Sequence, residues 1–320
     1  MMRANGSYGA PGWLPGGHAQ TIYPILLRRP QVAFRRERID TPDGDFIDFD
    51  WLEAETRDNA PLVVLFHGLE GNSRSHYARA LMAHLSSIGW RGVVPHFRGC
   101  SGEPNRRPRA YHSGDYTEVA WMLETLRRLA PDIPLFAVGV SLGGSALLNW
   151  LGREEHRAAS IIAAAAAVSA PLDLAAAGVA IEQGLNRIYS RHFRATLVPK
   201  AMAMAQQFPG TLDAAAIARV DTMYDFDDVV TAPLHGFAGT DDYWKRASSK
   251  PWLKAVAVPT LVLNARNDPF IPASSLPARA EAGPAITLEQ PDHGGHAGFP
   301  DRLDWLPKRL ITYFSEVRSA

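Results

Sequence analysis

The chain is 320 residues long, 46% hydrophobic and 21% charged, with a single cysteine. That length can bury one large core and fits one domain with an insertion better than two equal domains. Lysine plus arginine balances aspartate plus glutamate at 33 each, which argues against nucleic acid or an acidic surface as partner; the lone Cys100 excludes an internal disulfide and suits the reducing cytoplasm.

Residues 1–17 are rich in glycine and lack the long apolar core of a secretory signal. With the residues up to 30 they are expected to form a segment packing on the core. Gln31–Ile39 and Phe46–Leu52 read as an opening hairpin joined by the turn Asp40-Thr41-Pro42-Asp43-Gly44. From Pro61 strands and helices alternate: an apolar strand to Phe66 that ends in His67-Gly68-Leu69-Glu70-Gly71, a helix over His76–Ile88, a strand Gly92–Pro95 and a helix over Tyr116–Leu129. Between them, Cys100 is expected to be a buried inert thiol and Arg106-Arg107-Pro108-Arg109 a solvated basic loop. Tyr111 and His112 are expected to fix the loop below the turn that follows. Leu135–Val138 reads as a strand buried on both faces, leading through Gly139-Val140-Ser141-Leu142-Gly143 into a helical run, Ser145–Leu151. Ile161–Ser169 is a strand within an alanine-rich stretch that is too weakly hydrophobic, and too interrupted by Pro171 and Asp173, to span a membrane. Residues 31–171 form the first part of the core on this reading. Residues 172–253 are too many for a structureless loop, and their helical spacings (Met202, Met204, Phe208; Leu212, Ala216, Val220) predict a helical cap inserted over the carboxyl edge of the sheet. A few of Tyr189, Phe193, Met223, Phe237 and Trp244 are expected to line a pocket beneath it. Residues 254–320 return to the core with strands Pro259–Asn264 and Ala285–Glu289.

A serine between glycines at a strand-to-helix turn is a nucleophile elbow, because the sharp turn leaves room only for hydrogen on its flanks. A serine hydroxyl needs an imidazole to take its proton, and the imidazole needs a carboxylate to hold its tautomer. Downstream of Ser141, Asp268 sits just past a strand in Asn267-Asp268-Pro269, and Pro291-Asp292-His293-Gly294-Gly295-His296 follows the next strand. Asp268 is expected as the acid in preference to Asp292, which fits a turn cap. His296 is expected as the base in preference to His293, since the two glycines let the backbone approach the elbow. The amides of Leu69 and Leu142 are expected to form the oxyanion hole, and His67 to be structural. Asp292, His293 and His296 offer metal-ligating side chains, but the two glycines break the helical spacing that zinc histidine pairs use. No metal and no cofactor are expected; neither a Walker loop nor a Rossmann glycine fingerprint is present.

Several further segments, in order, resemble the YheT-type branch of the α/β-hydrolases, also called hydrolase family 4. They are Gly17-His18-Ala19-Gln20-Thr21-Ile22-Tyr23-Pro24, Phe66 to Gly71, Phe97-Arg98-Gly99-Cys100-Ser101-Gly102, Tyr111-His112-Ser113-Gly114-Asp115 and the elbow. Phe226-Asp227-Asp228, Thr231 to Phe237, Tyr243 with Ala247-Ser248-Ser249, Asn267-Asp268-Pro269-Phe270 and His293 to Phe299 complete the set. The resemblance implies an α/β-hydrolase fold, a mostly parallel central sheet flanked by helices with an inserted helical cap. It implies esterase or lipase-like action on small carboxylic esters of short to medium, lipid-derived acyl groups, with Ser141, Asp268 and His296 matching the family triad. Eukaryotic relatives often carry an N-terminal membrane anchor that has no counterpart here; contact with lipid is expected to be peripheral at most. Thioester hydrolysis, peptide cleavage, acyl transfer and C–C hydrolysis use the same machinery and stay open, as does a non-catalytic ligand-binding scaffold.

Overall fold

The computed structural model describes residues 8–27, 30–301 and 304–319; residues 1–7 and 28–29 of the expected N-terminal segment lie outside that set. The chain begins with α1 (Gly17–Leu26) and the hairpin β1 (Phe34–Asp40) and β2 (Phe46–Leu52). It continues through β3 (Leu62–Phe66), α2 (His76–Ile88), β4 (Arg91–Pro95), α3 (Tyr116–Leu129), β5 (Leu135–Val140), α4 (Leu142–Glu154) and β6 (Ala164–Val168). The helices α5 (Leu174–Ile181), α6 (Arg187–Gln207), α7 (Ala214–Ile217), α8 (Met223–Phe226), α9 (Ala232–His235) and α10 (Thr240–Ala247) precede β7 (Thr260–Leu263), β8 (Ile286–Glu289) and α11 (Trp305–Ser319).

The eight strands form one sheet in the order β1-β2-β4-β3-β5-β6-β7-β8. The first two are antiparallel additions; β4 through β8 pair in parallel. Parallel strands are covered on both faces, which is why β3 and β5 are apolar throughout rather than alternating. Leu62, Val64 and Phe66 point into a core shared with α3 and α4, while Val63 and Leu65 point into a second core shared with α2 and α11. The four alanines of β6 split the same way, Ala165 and Ala167 facing one core and Ala164 and Ala166 the other. Their small side chains let α4 and α11 lie close on opposite faces of the sheet. Of the expected strand Ile161–Ser169, the first residues close a 3₁₀ turn, Glu155–Ser160, and the ladder covers Ala164–Val168. Helices α2 and α3 match their expected spans. Asp115 caps α3 by accepting from the Glu118 N–H, and Gly89 at φ 69° ends α2.

Helices α1 and α11 have no counterpart among the sequence expectations, and each contains a proline that argues against a helix. Pro307 falls in the first turn of α11, where no N–H is needed; Pro24 lies near the end of α1. Between β6 and β7 the helices α5–α10 build a layer with its own small core of Leu197, Ala201, Ala205, Ile217, Phe226 and Val230. The buried stripe of α6 is therefore Leu197-Ala201-Ala205, and Met204 lines a cavity together with Leu197 and Ala201.

Candidate active site

Ser141 follows β5 with φ 54° and ψ −121°, a backbone conformation that side chains rarely adopt and that persists only where the surroundings enforce it. They enforce it closely. A Cβ on Gly139 would lie 2.5 Å from the Gly143 carbonyl oxygen, and one on Gly143 would strike the Phe66 carbonyl at the end of β3. The Ser141 N–H donates to the Val168 carbonyl (2.8 Å), which pins the turn to β6.

Ser141 Oγ lies 2.9 Å from His296 Nε2, and His296 Nδ1 lies 2.8 Å from Asp268 Oδ2. Asp268 is buried, and its other oxygen accepts from the Phe270 N–H (2.8 Å). With Asp268 accepting at Nδ1, the imidazole proton belongs there and Nε2 is left as the acceptor facing the serine. The structure thus brings together Ser141, Asp268 and His296 from the ends of three different strands. His293 and Asp292 are exposed, and His293 Nδ1 faces Asn267 Nδ2 at 3.4 Å rather than the serine. Among the described residues no three histidine, cysteine, aspartate or glutamate side chains converge as a metal-binding group.

Leu69 and Leu142 both line the space in front of Ser141. Leu142 is the first residue of α4, where helical N–H groups lack an intrahelical partner, and no hydrogen bond engages the Leu69 N–H among the described residues. The Leu69 loop is held from several sides. The Gly68 N–H donates to Tyr77 Oη (2.9 Å), the Glu70 N–H donates to Tyr111 Oη (2.7 Å), and the Tyr111 hydroxyl donates to Glu70 Oε1 (3.0 Å). Glu70, at φ 56°, also pairs with Lys200 of α6 at 2.7 Å. Tyr111 therefore fixes the loop after β3 rather than the one below the serine, and His112 packs against His235 of α9 instead. His67 is fully buried with Nδ1 donating to the Gly68 carbonyl (2.8 Å) and Nε2 accepting from the Phe97 N–H (3.1 Å). Burial pushes its pKa down to about 3, so it stays neutral and structural. Burial likewise pushes the Cys100 thiol up to about 12, the inert state expected for it. Arg106 and Arg107 of the basic cluster are exposed, as expected of a solvated loop; Arg106 pairs at the surface with Asp40 (2.8 Å), Arg109 with Asp115 (2.8 Å), and Arg107 Nε donates to the Asp43 carbonyl.

Reading the residues for chemistry alone misses the supports of the histidine loop, although they lie in the Gly17–Pro24 segment quoted above. Gln20 Oε1, buried, accepts from the Gly294 N–H (2.8 Å) and from Asn267 Nδ2 (2.9 Å), tying the histidine and aspartate loops to α1. Thr21 Oγ1 accepts from the His296 N–H (2.8 Å), and Asn267 Oδ1 accepts from the Gly295 N–H (3.0 Å). The glycines have a steric reason: a Cβ on Gly295 would meet the Thr21 side chain, and one on Gly298 the Gln20 carbonyl.

Two neighbouring cavities share a wall beside the serine. The smaller, about 140 Å³, holds Ser141 and His296 under Leu174, Ile181, Phe193 and Phe270. The larger, about 500 Å³, extends between α6 and the segment 98–111. Leu69, Leu142, Met223, Asp227 and Tyr243 line both. Of the aromatic and sulfur side chains expected at a pocket, Phe193, Met223 and Trp244 line the smaller one. Tyr189 instead stacks on His18, and Phe237 packs on Tyr243.

The sequence profile described as alpha/beta hydrolase fold matches residues 61–303. The chain is 41% identical over 94% of its length, and 92% of the relative's, to the Escherichia coli (strain K12) protein named "Putative esterase YheT". It is 31% identical to the human protein named phospholipase ABHD3, over 95% of this chain and 76% of that one. Among solved structures, the Pyrococcus furiosus esterase Pf2001 superposes with a TM-score of 0.57 at 13% identity, covering 90% of this chain and 92% of that one, a likeness of fold. With the profile, the strand order and the long relatives in agreement, the chain belongs to the α/β-hydrolases, in their YheT-type branch.

Proposed function

We propose that this ester hydrolase works as a serine hydrolase that cleaves carboxylic esters through an acyl-enzyme on Ser141. The observation that carries the reading is the hydrogen-bonded series Asp268–His296–Ser141, opening into a cavity. His296 Nε2 takes the serine proton as Oγ attacks the ester carbonyl, and Asp268 holds the tautomer and balances the imidazolium that forms. The tetrahedral oxyanion accepts from the N–H groups of Leu69 and Leu142, a contribution of about 2.7–4 kcal/mol for one such donor. The proton passes from His296 to the leaving alcohol, and water then attacks the acyl-enzyme by the same route. The larger cavity, bounded by Leu197, Ala201 and Met204 of α6, suits an apolar acyl group of short to medium length. Relatives named phospholipase and monoacylglycerol lipase support a lipid-derived ester as substrate. No helix of the described residues is long and apolar enough to cross a membrane; lipid is met by peripheral contact, and a lone buried thiol suits cytoplasmic residence. A fluorophosphonate probe should label Ser141, and rates on nitrophenyl esters of rising chain length should peak at short to medium acyl groups. A wild-type protein that resists the probe while hydrolysing those esters would remove the serine mechanism.

A further inference from the structure

Asp227 is a partly buried carboxyl that the ester chemistry above does not use. It begins a π-helical turn, Asp227–Thr231, inserted between α8 and α9, and wide turns of this kind recur where a side chain must be aimed at a functional site. The turn brings Asp227 to the wall shared by both cavities, including the one that holds Ser141 and His296. Thr231 Oγ1 donates to its Oδ1 (2.7 Å) and Trp244 Nε1 to its Oδ2 (2.8 Å). Burial pushes its pKa up to about 6. Each carboxylate oxygen can accept two hydrogen bonds, so one acceptor position on each oxygen remains after Thr231 and Trp244. The surrounding wall (Leu174, Ile181, Phe193, Met223) is apolar, and a few acceptors in an apolar pocket are what orient a ligand and select it.

We propose that Asp227 is a specificity-determining residue that accepts a hydrogen bond from a free hydroxyl on the alcohol part of the ester, so that partial esters of polyols are preferred to esters of simple alcohols. The inference rests on the serine-hydrolase reading. His296 must return its proton to the leaving oxygen, which keeps the alcohol part in the small cavity that Asp227 shares with Ser141 and His296. A site built around an acceptor penalises a substrate lacking the donor, because the buried acceptor is then left unpaired.

The test compares kcat/KM for glycerol monobutyrate and propyl butyrate, which share an acyl group and differ in the two hydroxyls. Wild type and the isosteric Asp227→Asn variant are compared, with active sites counted by fluorophosphonate labelling. Wild type should prefer the glycerol ester about 10- to 100-fold, chiefly through KM. In Asp227→Asn the ratio should fall to within about threefold. Equal wild-type rates on the two esters would overturn the proposal without any variant. A variant that loses both activities by one factor would also overturn it, since that is the signature of a structural carboxyl. A wild-type preference for butyrylcholine over both esters, lost in Asp227→Asn, would overturn it in favour of cation recognition. A protein that the probe does not label, with both esters still cleaved, would instead refute the serine reading beneath it.

Discussion

The serine turn joins conformational strain to chemistry at one residue. Ser141 sits at φ 54°, where any Cβ is unfavourable, so glycine there should relax the backbone. Ser141→Ala and Ser141→Gly should both lower kcat by up to about 10⁶, by analogy with triad deletions. They should differ in stability, Ser141→Gly exceeding Ser141→Ala by about 1 kcal/mol in denaturant unfolding; equal midpoints would mean that the turn stores no strain. The histidines divide as sharply. His296 bonds both partners, so His296→Ala should be nearly as damaging as loss of the serine, whereas exposed His293→Ala should keep substantial turnover. Asp268→Asn presents the wrong group to His296 Nδ1 and should cost about 10⁴-fold in kcat. Near-normal kcat in that variant would remove Asp268 from the mechanism.

At the scale of elements, the loops that carry Asp268 and His296 are positioned by a helix from the other end of the chain. Gln20 of α1 is the shared acceptor for the Gly294 N–H and Asn267 Nδ2, so Gln20→Leu leaves the buried Gly294 N–H unpaired and removes one partner of Asn267 Nδ2. Loss of about 1–3 kcal/mol in unfolding free energy is expected, together with a fall in kcat that exceeds any rise in KM, because the imidazole is less well held. Steady-state kinetics and urea unfolding on the one variant check both, and an unchanged kcat would make α1 mere packing. This support explains what was legible in the sequence. The strands β2, β3, β5 and β7, the helices α2 and α3, and the juxtaposed Ser141, Asp268 and His296 could be read because burial on both faces, apolar periodicity and glycine punctuation are local signals. The roles of Gln20 and Lys200 could not, since each depends on a partner remote in sequence: Gln20 and Gly294 are 274 positions apart, and Lys200 meets Glu70 across 130.

For the whole molecule, buried ionisable groups set how stability responds to pH, and they pull in opposite directions. Burial holds the folded-state pKa of His67 at about 3 and that of His235, with His112 beside it, also at about 3. Between those values and the unfolded value near 6.5 the unfolded chain binds more protons, so stability falls as pH falls through this window. Burial raises Glu118 to about 7 and Asp227 to about 6. There the folded state binds the extra proton, and stability rises as pH falls from those values towards the ordinary carboxylate range. Offsetting contributions should leave the wild-type profile shallow between pH 7 and 5, so one histidine is best isolated by difference. His67→Gln keeps a donor for the Gly68 carbonyl and an acceptor for the Phe97 N–H but cannot titrate. At pH 7.5 the variant should be the less stable of the two. At pH 5 the wild type should have lost about 2 kcal/mol relative to the variant, about 1.36 kcal/mol for each unit below 6.5. Guanidinium unfolding at the two pH values measures the difference directly. A gap that stays constant between them would show that His67 takes up a proton in the folded protein, and with it the loop that carries Leu69 would have to rearrange.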